Sequence, residues 1–288
     1  MFSKKQTILI KDDLYQLSTP KIMGILNVTP DSFYDGGKYV DEAGISTRID
    51  TILAEGADMI DIGGLSTRPG AKEISSKEEK NRLKAALTII QQKNITIPVS
   101  IDTYRADVAD WAITNYKVDI INDISGGTFD KEILSVVSQY NIPLVIMHTK
   151  DKPDKMQQNI SYVNVTKELI YDVAEKVEIA KAAGVKDIII DPGFGFGKDL
   201  DQNYELLANL NVFNHLGLPI LVGISRKSMI YKLLGSTPEE SLNGTTILHT
   251  LALQGGADIL RVHDVKEACE SIKLFLKVKE KLTNDTGL

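Results

Sequence analysis

VDIIND, residues 118–123, is a short apolar run that ends in a polar, turn-forming tail. Its β-branched centre suits a strand buried on both faces, and the tail marks where that strand gives way to a loop. The runs on either side have the same form: IPVSID (97–102) before it and IPLVIMH (142–148) after it. Further out lie IMGILN (22–27), MIDIGG (59–64), VKDIIIDP (185–192), LPILVGIS (218–225) and ILRVHD (259–264). Amphipathic helical patterns fill the gaps, at about 41–55, 77–92, 104–116, 130–139, 161–183, 200–210, 240–254 and 265–282. Pro238 falls close to the first turn of the seventh, where a missing N–H costs little. Strand and helix alternating in this way predict an α/β fold, a closed parallel (β/α)8 TIM barrel. Active sites of such barrels sit where the strands end, so Asn27, Asp61, Asp102, Asn122, His148, Asp191, Lys227, Arg261 and His263 are expected around one rim.

The bulk composition fits that reading. The chain has 288 residues, 43% of them hydrophobic and 25% charged, which suits one barrel domain over 1–288 with ample apolar material for its core. Residues 1–19 form an extension, read over about 6–19 as a β-hairpin: strands at 7–10 and 14–17 with a turn at 11–13. It precedes the first barrel strand and is expected to cover the barrel's N-terminal end. The net charge of −6 points away from broad binding to nucleic acid or to a membrane surface. The lone cysteine, Cys269, fits packing in a reducing cytoplasm better than a nucleophile's role, since no rim motif surrounds it. MFSKKQTILIKDD lacks the pattern of a secretory signal, and no apolar run approaches the roughly 20 residues that span a bilayer. A cytoplasmic location is therefore expected.

Two segments, 28–39 (VTPDSFYDGGKY) and 63–77 (GGLSTRPGAKEISSK), are too long for simple connections. Both follow a strand, on the side where the site is expected, and read as lids or binding loops; the alternative is a surface insertion.

Three constellations carry chemistry. Asp102, Asn122, Asp191 and Lys227 lie at strand ends and suit a flat heterocycle with several N–H donors: a carboxylate accepts paired bonds, and an amide both donates and accepts. The alternative is that these groups pair only with one another. Arg261 and His263, with Asn27 across the mouth, make a compact phosphate or diphosphate site in which Asn27 adds a neutral ligand to Mg2+; the alternative is an Arg261–Asp264 ion pair beside a structural histidine. SRKS (225–228) opens the helix after the seventh strand and suits a carboxylate, with Ser228 and Arg226 as helpers, or else simple serine capping. DPGFGFGK (191–198) allows tight turns and close ligand approach between two phenylalanines. Its spacing is neither that of a Rossmann loop nor that of a Walker A loop. No GxSxG, HExxH or CxxC motif occurs, which removes the common serine hydrolases, zinc enzymes and thiol redox centres as leading ideas.

Taken in order, GILNVTPDSFYDGG (24–37), DIGGLSTRPG (61–70), SIDTYRADVA (100–109), NDISGG (122–127), DPGFGFGK (191–198), GISRKS (223–228) and RVHDV (261–265) resemble the signatures of the dihydropteroate synthase family, over roughly residues 20–280. The resemblance implies condensation of a dihydropterin CH2-diphosphate with p-aminobenzoate, and block by sulfonamides. It assigns the pterin to Asp102, Asn122, Asp191 and Lys227, and the diphosphate, with magnesium, to Asn27, Arg261 and His263. Phe33, Ser66, Thr67, Arg68, Pro69, Phe196 and Ser228 would build the p-aminobenzoate pocket, and Asp35 would act with Lys227, Arg261 and His263 in catalysis. Members are commonly homodimers, and helices within 240–282 carry apolar surface for that purpose. Two departures stand out: Leu65 replaces the usual Glu, and the segment after His148 lacks the glycine often found there. The competing readings are a methyltransferase of the same barrel superfamily, passing a methyl group from a folate to a corrinoid, and a non-catalytic pterin-binding module.

Overall fold

Two short strands, β1 (Thr7–Ile10) and β2 (Asp13–Gln16), pair antiparallel at the start of the chain. Eight parallel strands follow: β3 (Lys21–Asn27), β4 (Met59–Gly63), β5 (Val99–Asp102), β6 (Ile120–Asp123), β7 (Leu144–Met147), β8 (Ile188–Asp191), β9 (Leu221–Val222) and β10 (Ile259–Val262). This computed structural model describes residues 4–29, 42–66, 73–156 and 160–284. Consecutive strands pair from β3 to β8, and β10 lies between β9 and β3, so the last strand returns to the first. The remaining seam, between β8 and β9, is joined by a parallel bridge of Ile190 with Ile220 and by Ile190 N donating to Pro219 O at 2.9 Å. The expected (β/α)8 barrel is therefore present.

Helices α1 (Glu42–Ala54), α2 (Ser76–Gln92), α3 (Ala106–Tyr116), α4 (Glu132–Tyr140), α5 (Val165–Ala182) and α6 (Leu200–Ala208) form the crossovers as far as β9. The seventh crossover differs from expectation. It holds two helices, α7 (Ser228–Leu234) and α8 (Leu242–Gln254), because Gly235 adopts the left-handed conformation and ends α7 early. Pro238 lies in the turn between them, outside α8, and its carbonyl accepts from Ser241 and from Arg226. α5 begins later than its apolar spacing implies, since Asn164 caps Lys167 N while Glu168 accepts from Val163 N and Asn164 N. The chain closes on α9 (Val265–Asn284), and among the described residues no helix is long and apolar enough to cross a membrane.

Strand side chains alternate between two cores. Ile22, Ile60, Ile62, Ile121, Ile190 and Leu260 pack outward with the helices. Met23, Met59, Ile120, Val145, Ile189, Leu221 and Ile259 form a separate inner cluster with Ile8, Ile10 and Leu17 of the N-terminal segment. The hairpin thus plugs the lower end of the barrel, each fully buried aliphatic side chain contributing roughly 1.5–3 kcal/mol. Below that apolar layer, Asp58, Asp119, Asp187 and Asp258 stand immediately before β4, β6, β8 and β10, and pair with Lys21, Lys11, Lys5 and Lys4. Three of these aspartates also accept from the backbone of an adjacent strand, at Ile22 N, Val99 N and Ile220 N.

Candidate active site

The alternation that buries Met59, Ile120, Ile189 and Ile259 at the bottom sends Asp61, Asn122, Asp191 and Arg261, two residues on, inward at the top. Arg261 Nε donates to Asp61 Oδ2 at 2.6 Å, and its Nη2 donates to Asp102 Oδ2 at 2.9 Å. Asn122 Nδ2 donates to the same Asp61 oxygen at 3.1 Å. A floor of carboxylates and one guanidinium is therefore assembled from β4, β5, β6 and β10. Asp61, which is fully buried, joins them; the sequence placed it on the rim without a role. Desolvation holds the Asp102 carboxyl well above the usual carboxylate range; the Arg261 charge opposes this, and Asp61 adds to it.

Asp191 and Lys227 complete the floor on the far side. Asp191 Oδ1 accepts from Gly193 N at 2.7 Å, and burial raises its pKa against the pull of Lys227. Burial lowers the Lys227 ammonium to about 8, opposed by Asp191. Its Nζ donates to Phe194 O and lies 4.5 Å from the centre of the Phe196 ring. Gly195 has a φ of +80°, and a Cβ there would come within 3.0 Å of the Lys227 chain. The glycine spacing of the 191–198 loop thus serves to let the lysine in. Lys198 is buried beneath the same loop, donating to Gly193 O and Phe196 O, with its pKa lowered to about 7 chiefly by desolvation.

His263 stands above Arg261, its backbone tied to Ser225 Oγ and to Arg48. Burial first, then the Arg261 charge, lowers its imidazole to about 4. Asn27 ends β3 beside Gly63, where a Cβ would lie 3.1 Å from the Asn27 amide oxygen. Ser66 and Ser228 are half-buried, Ser228 opening α7. Phe33, Asp35, Thr67, Arg68 and Pro69, with most of the first long loop and part of the second, lie outside the described residues.

Three expectations change. Arg226 is not free to help bind an anion: it forms a two-pronged pair with Asp264 at 2.8 Å for each prong, and its remaining nitrogen donates to the carbonyls of Pro238 and Glu239. Asp264 is thereby taken, so the Arg261–Asp264 pair does not form. Ser225 does not cap α7 but accepts from His263 N. His148 ends behind the rim, its Nδ1 bonded to Asp172 at 2.6 Å and its Nε2 to Tyr162 at 3.0 Å. Leu65 packs into an apolar cluster with Tyr104, Ile124 and Met147, against which Phe196 rests.

The chain matches the family described as pterin binding enzyme over residues 23–263. It is 44% identical over 256 residues to the dihydropteroate synthase of Clostridium beijerinckii, covering 88% of this chain and 92% of that one. Among solved structures, it resembles the Yersinia pestis dihydropteroate synthase in a sulfonamide drug complex, with a TM-score of 0.89 and 35% identity over 96% of this chain and 99% of that one. It also resembles the Xanthomonas albilineans enzyme with 4-aminobenzoic acid, with a TM-score of 0.87 and 34% identity over 95% and 98% of the two chains.

Proposed function

The chain belongs to the pterin-binding enzyme family, where its relatives are dihydropteroate synthases, and we propose that it joins 6-hydroxymethyl-7,8-dihydropterin diphosphate to p-aminobenzoate. The products are 7,8-dihydropteroate and diphosphate. The observation that carries this reading is the convergence of Asp102, Asn122, Asp191, Lys227 and Arg261 on one barrel mouth. That floor offers acceptors to the N–H groups of a pterin and cations to its oxygen and to a phosphate chain.

In the reaction, the bond from the exocyclic CH2 to the diphosphate oxygen breaks early and its electron pair leaves with the diphosphate. The amine nitrogen then bonds to the CH2 and gives up a proton. An aryl amine is already neutral at pH 7, so no strong base is required. The protein's tasks are to shelter a cationic pterin and to receive an anion. In this proposal Asp102, Asn122, Asp191 and Lys227 bind the pterin, with Asp35 near the developing cation. Asn27, Arg261 and His263 receive the diphosphate. Phe33, Ser66, Thr67, Arg68, Pro69, Phe196 and Ser228 hold p-aminobenzoate, the place a sulfonamide would take. Orienting the two reactants in this way supplies up to roughly 7–11 kcal/mol of the barrier in well-ordered systems.

Magnesium fits as a companion of the substrate. Among the described residues, no cluster of three His, Cys, Asp or Glu side chains is placed to hold a metal ion, whereas the Asn27 amide oxygen stands at the rim. One neutral oxygen suits a magnesium that keeps its waters and takes its other ligands from phosphate. When bound, it neutralises charge on the diphosphate oxygens. We also propose a homodimer through α8 and α9, where Ile247, Leu251, Leu274 and Val278 are exposed. A cytoplasmic setting suits the single cysteine.

Incubation with the pterin diphosphate, p-aminobenzoate and magnesium tests the reading. Dihydropteroate and diphosphate in equal amounts are expected. Methyl transfer from a methylated folate to a corrinoid, without diphosphate release, would overturn it, as would pterin binding without turnover.

A further inference from the structure

We propose that Asp61 is a positioning residue that fixes which face of the Asn122 amide and which edge of the Arg261 guanidinium meet the substrate. The inference rests on the synthase reading. Asp61 Oδ2 receives both Arg261 Nε and Asn122 Nδ2. A side-chain amide has two unlike ends, a nitrogen that donates and an oxygen that accepts. Here the partner decides. An oxygen already bound to a guanidinium offers lone pairs, so the atom Asn122 turns toward it is nitrogen. The amide oxygen is left for the ligand, as an acceptor for a heterocycle N–H. Arg261 is fixed in the same way: Nε is committed to Asp61 and Nη2 to Asp102, while Nη1 makes no hydrogen bond among the described residues.

The position of Asp61 is costly, which argues that orientation is its use. The residue is fully buried, and its Oδ1 has no hydrogen-bond partner among the described residues. Pairing with Arg261 offsets the desolvation of only one of its oxygens, since the other goes unsatisfied. Its neighbours on β4, Ile60 and Ile62, are apolar, as expected of a strand that serves only the core.

The test is a double-mutant cycle read by binding of 6-hydroxymethylpterin, which carries no phosphate. Asp61→Asn can turn its own nitrogen toward Asn122 and release the amide. In the wild-type background the substitution is expected to weaken binding about tenfold, the worth of one good hydrogen bond. In an Asn122→Ala background it should weaken binding less than about twofold, because there is no amide left to orient and a pterin without phosphate does not draw on the free Nη1 of Arg261. Equal losses in the two backgrounds would mean that Asp61 is merely structural and would overturn the inference. If Asp61→Asn does not fold, the wild-type protein answers by NMR, with the Asn122 side-chain amide assigned by its loss in Asn122→Ala. Slow solvent exchange of that amide in both the free and the pterin-bound protein supports the inference, and free exchange overturns it. Wild-type protein that fails to bind the pterin at all defeats the synthase reading, and the inference with it.

Discussion

Arg261 and Asp102 meet at 2.9 Å across the barrel mouth, tying its last strand to its third. The pair predicts a split between two ligands. Arg261→Lys keeps the charge but loses the fork, so KM for the pterin diphosphate should rise by about 10- to 100-fold, corresponding to roughly 1.4–2.8 kcal/mol. Binding of the phosphate-free pterin, read by calorimetry, should change far less. Asp102→Asn should do the reverse, weakening both pterins alike because one acceptor becomes a donor. Equal losses for both ligands in Arg261→Lys would count against an anion role.

Leu65 lies in an apolar cluster under Phe196, 9% exposed. Leu65→Ala should cost about 2–3 kcal/mol and lower the calorimetric Tm by roughly 5–10 °C. Leu65→Glu should raise KM for p-aminobenzoate and leave pterin affinity alone, since it puts a charge into the cluster on which Phe196 rests. An unchanged KM would detach Leu65 from the pocket.

His249 is 1% exposed, and its Nε2 has no partner among the described residues. Burial lowers it to about 4, with Asp264 opposing. An unfolded histidine titrates near 6.5, so below that pH the unfolded chain takes up a proton that the folded chain refuses until about pH 4. Stability from this residue is therefore full above pH 6.5 and lost as pH falls toward 4. Denaturant melts of His249→Leu should show a loss between pH 7 and pH 5 that is smaller than the wild type's by about 2 kcal/mol. Parallel pH dependence in the two proteins would refute this.

Ile247, Leu251, Leu274 and Val278 leave α8 and α9 with an exposed apolar strip. Light scattering should give twice the chain mass for the wild type and a single chain mass for Leu251→Glu combined with Leu274→Glu, with the fold retained by circular dichroism. A wild-type monomer would remove the dimer.

The strand ends were legible because a polar residue closing an apolar run is a local signal. Asp102, Asn122, Asp191 and Arg261 were found that way, and all of them lie in the assembled floor. Partnership was not legible. Asp61 and Arg261 are separated by 200 positions, and no local pattern pairs them. Parity offered one clue: counting by twos from Met59, Ile120, Ile189 and Ile259 puts 61, 122, 191 and 261 on one face, whereas Asp264 lies past its strand, within reach of Arg226. The divided seventh crossover is not legible because α7, seven residues ended by the left-handed Gly235, is too short to show a helical period.

The hairpin under the barrel makes the interior a cul-de-sac. With Ile8, Ile10 and Leu17 stoppering one end, all traffic uses the opposite doorway. Asp102, Asn122 and Asp191 stand on the floor of that doorway, so anything that meets them comes from the open rim.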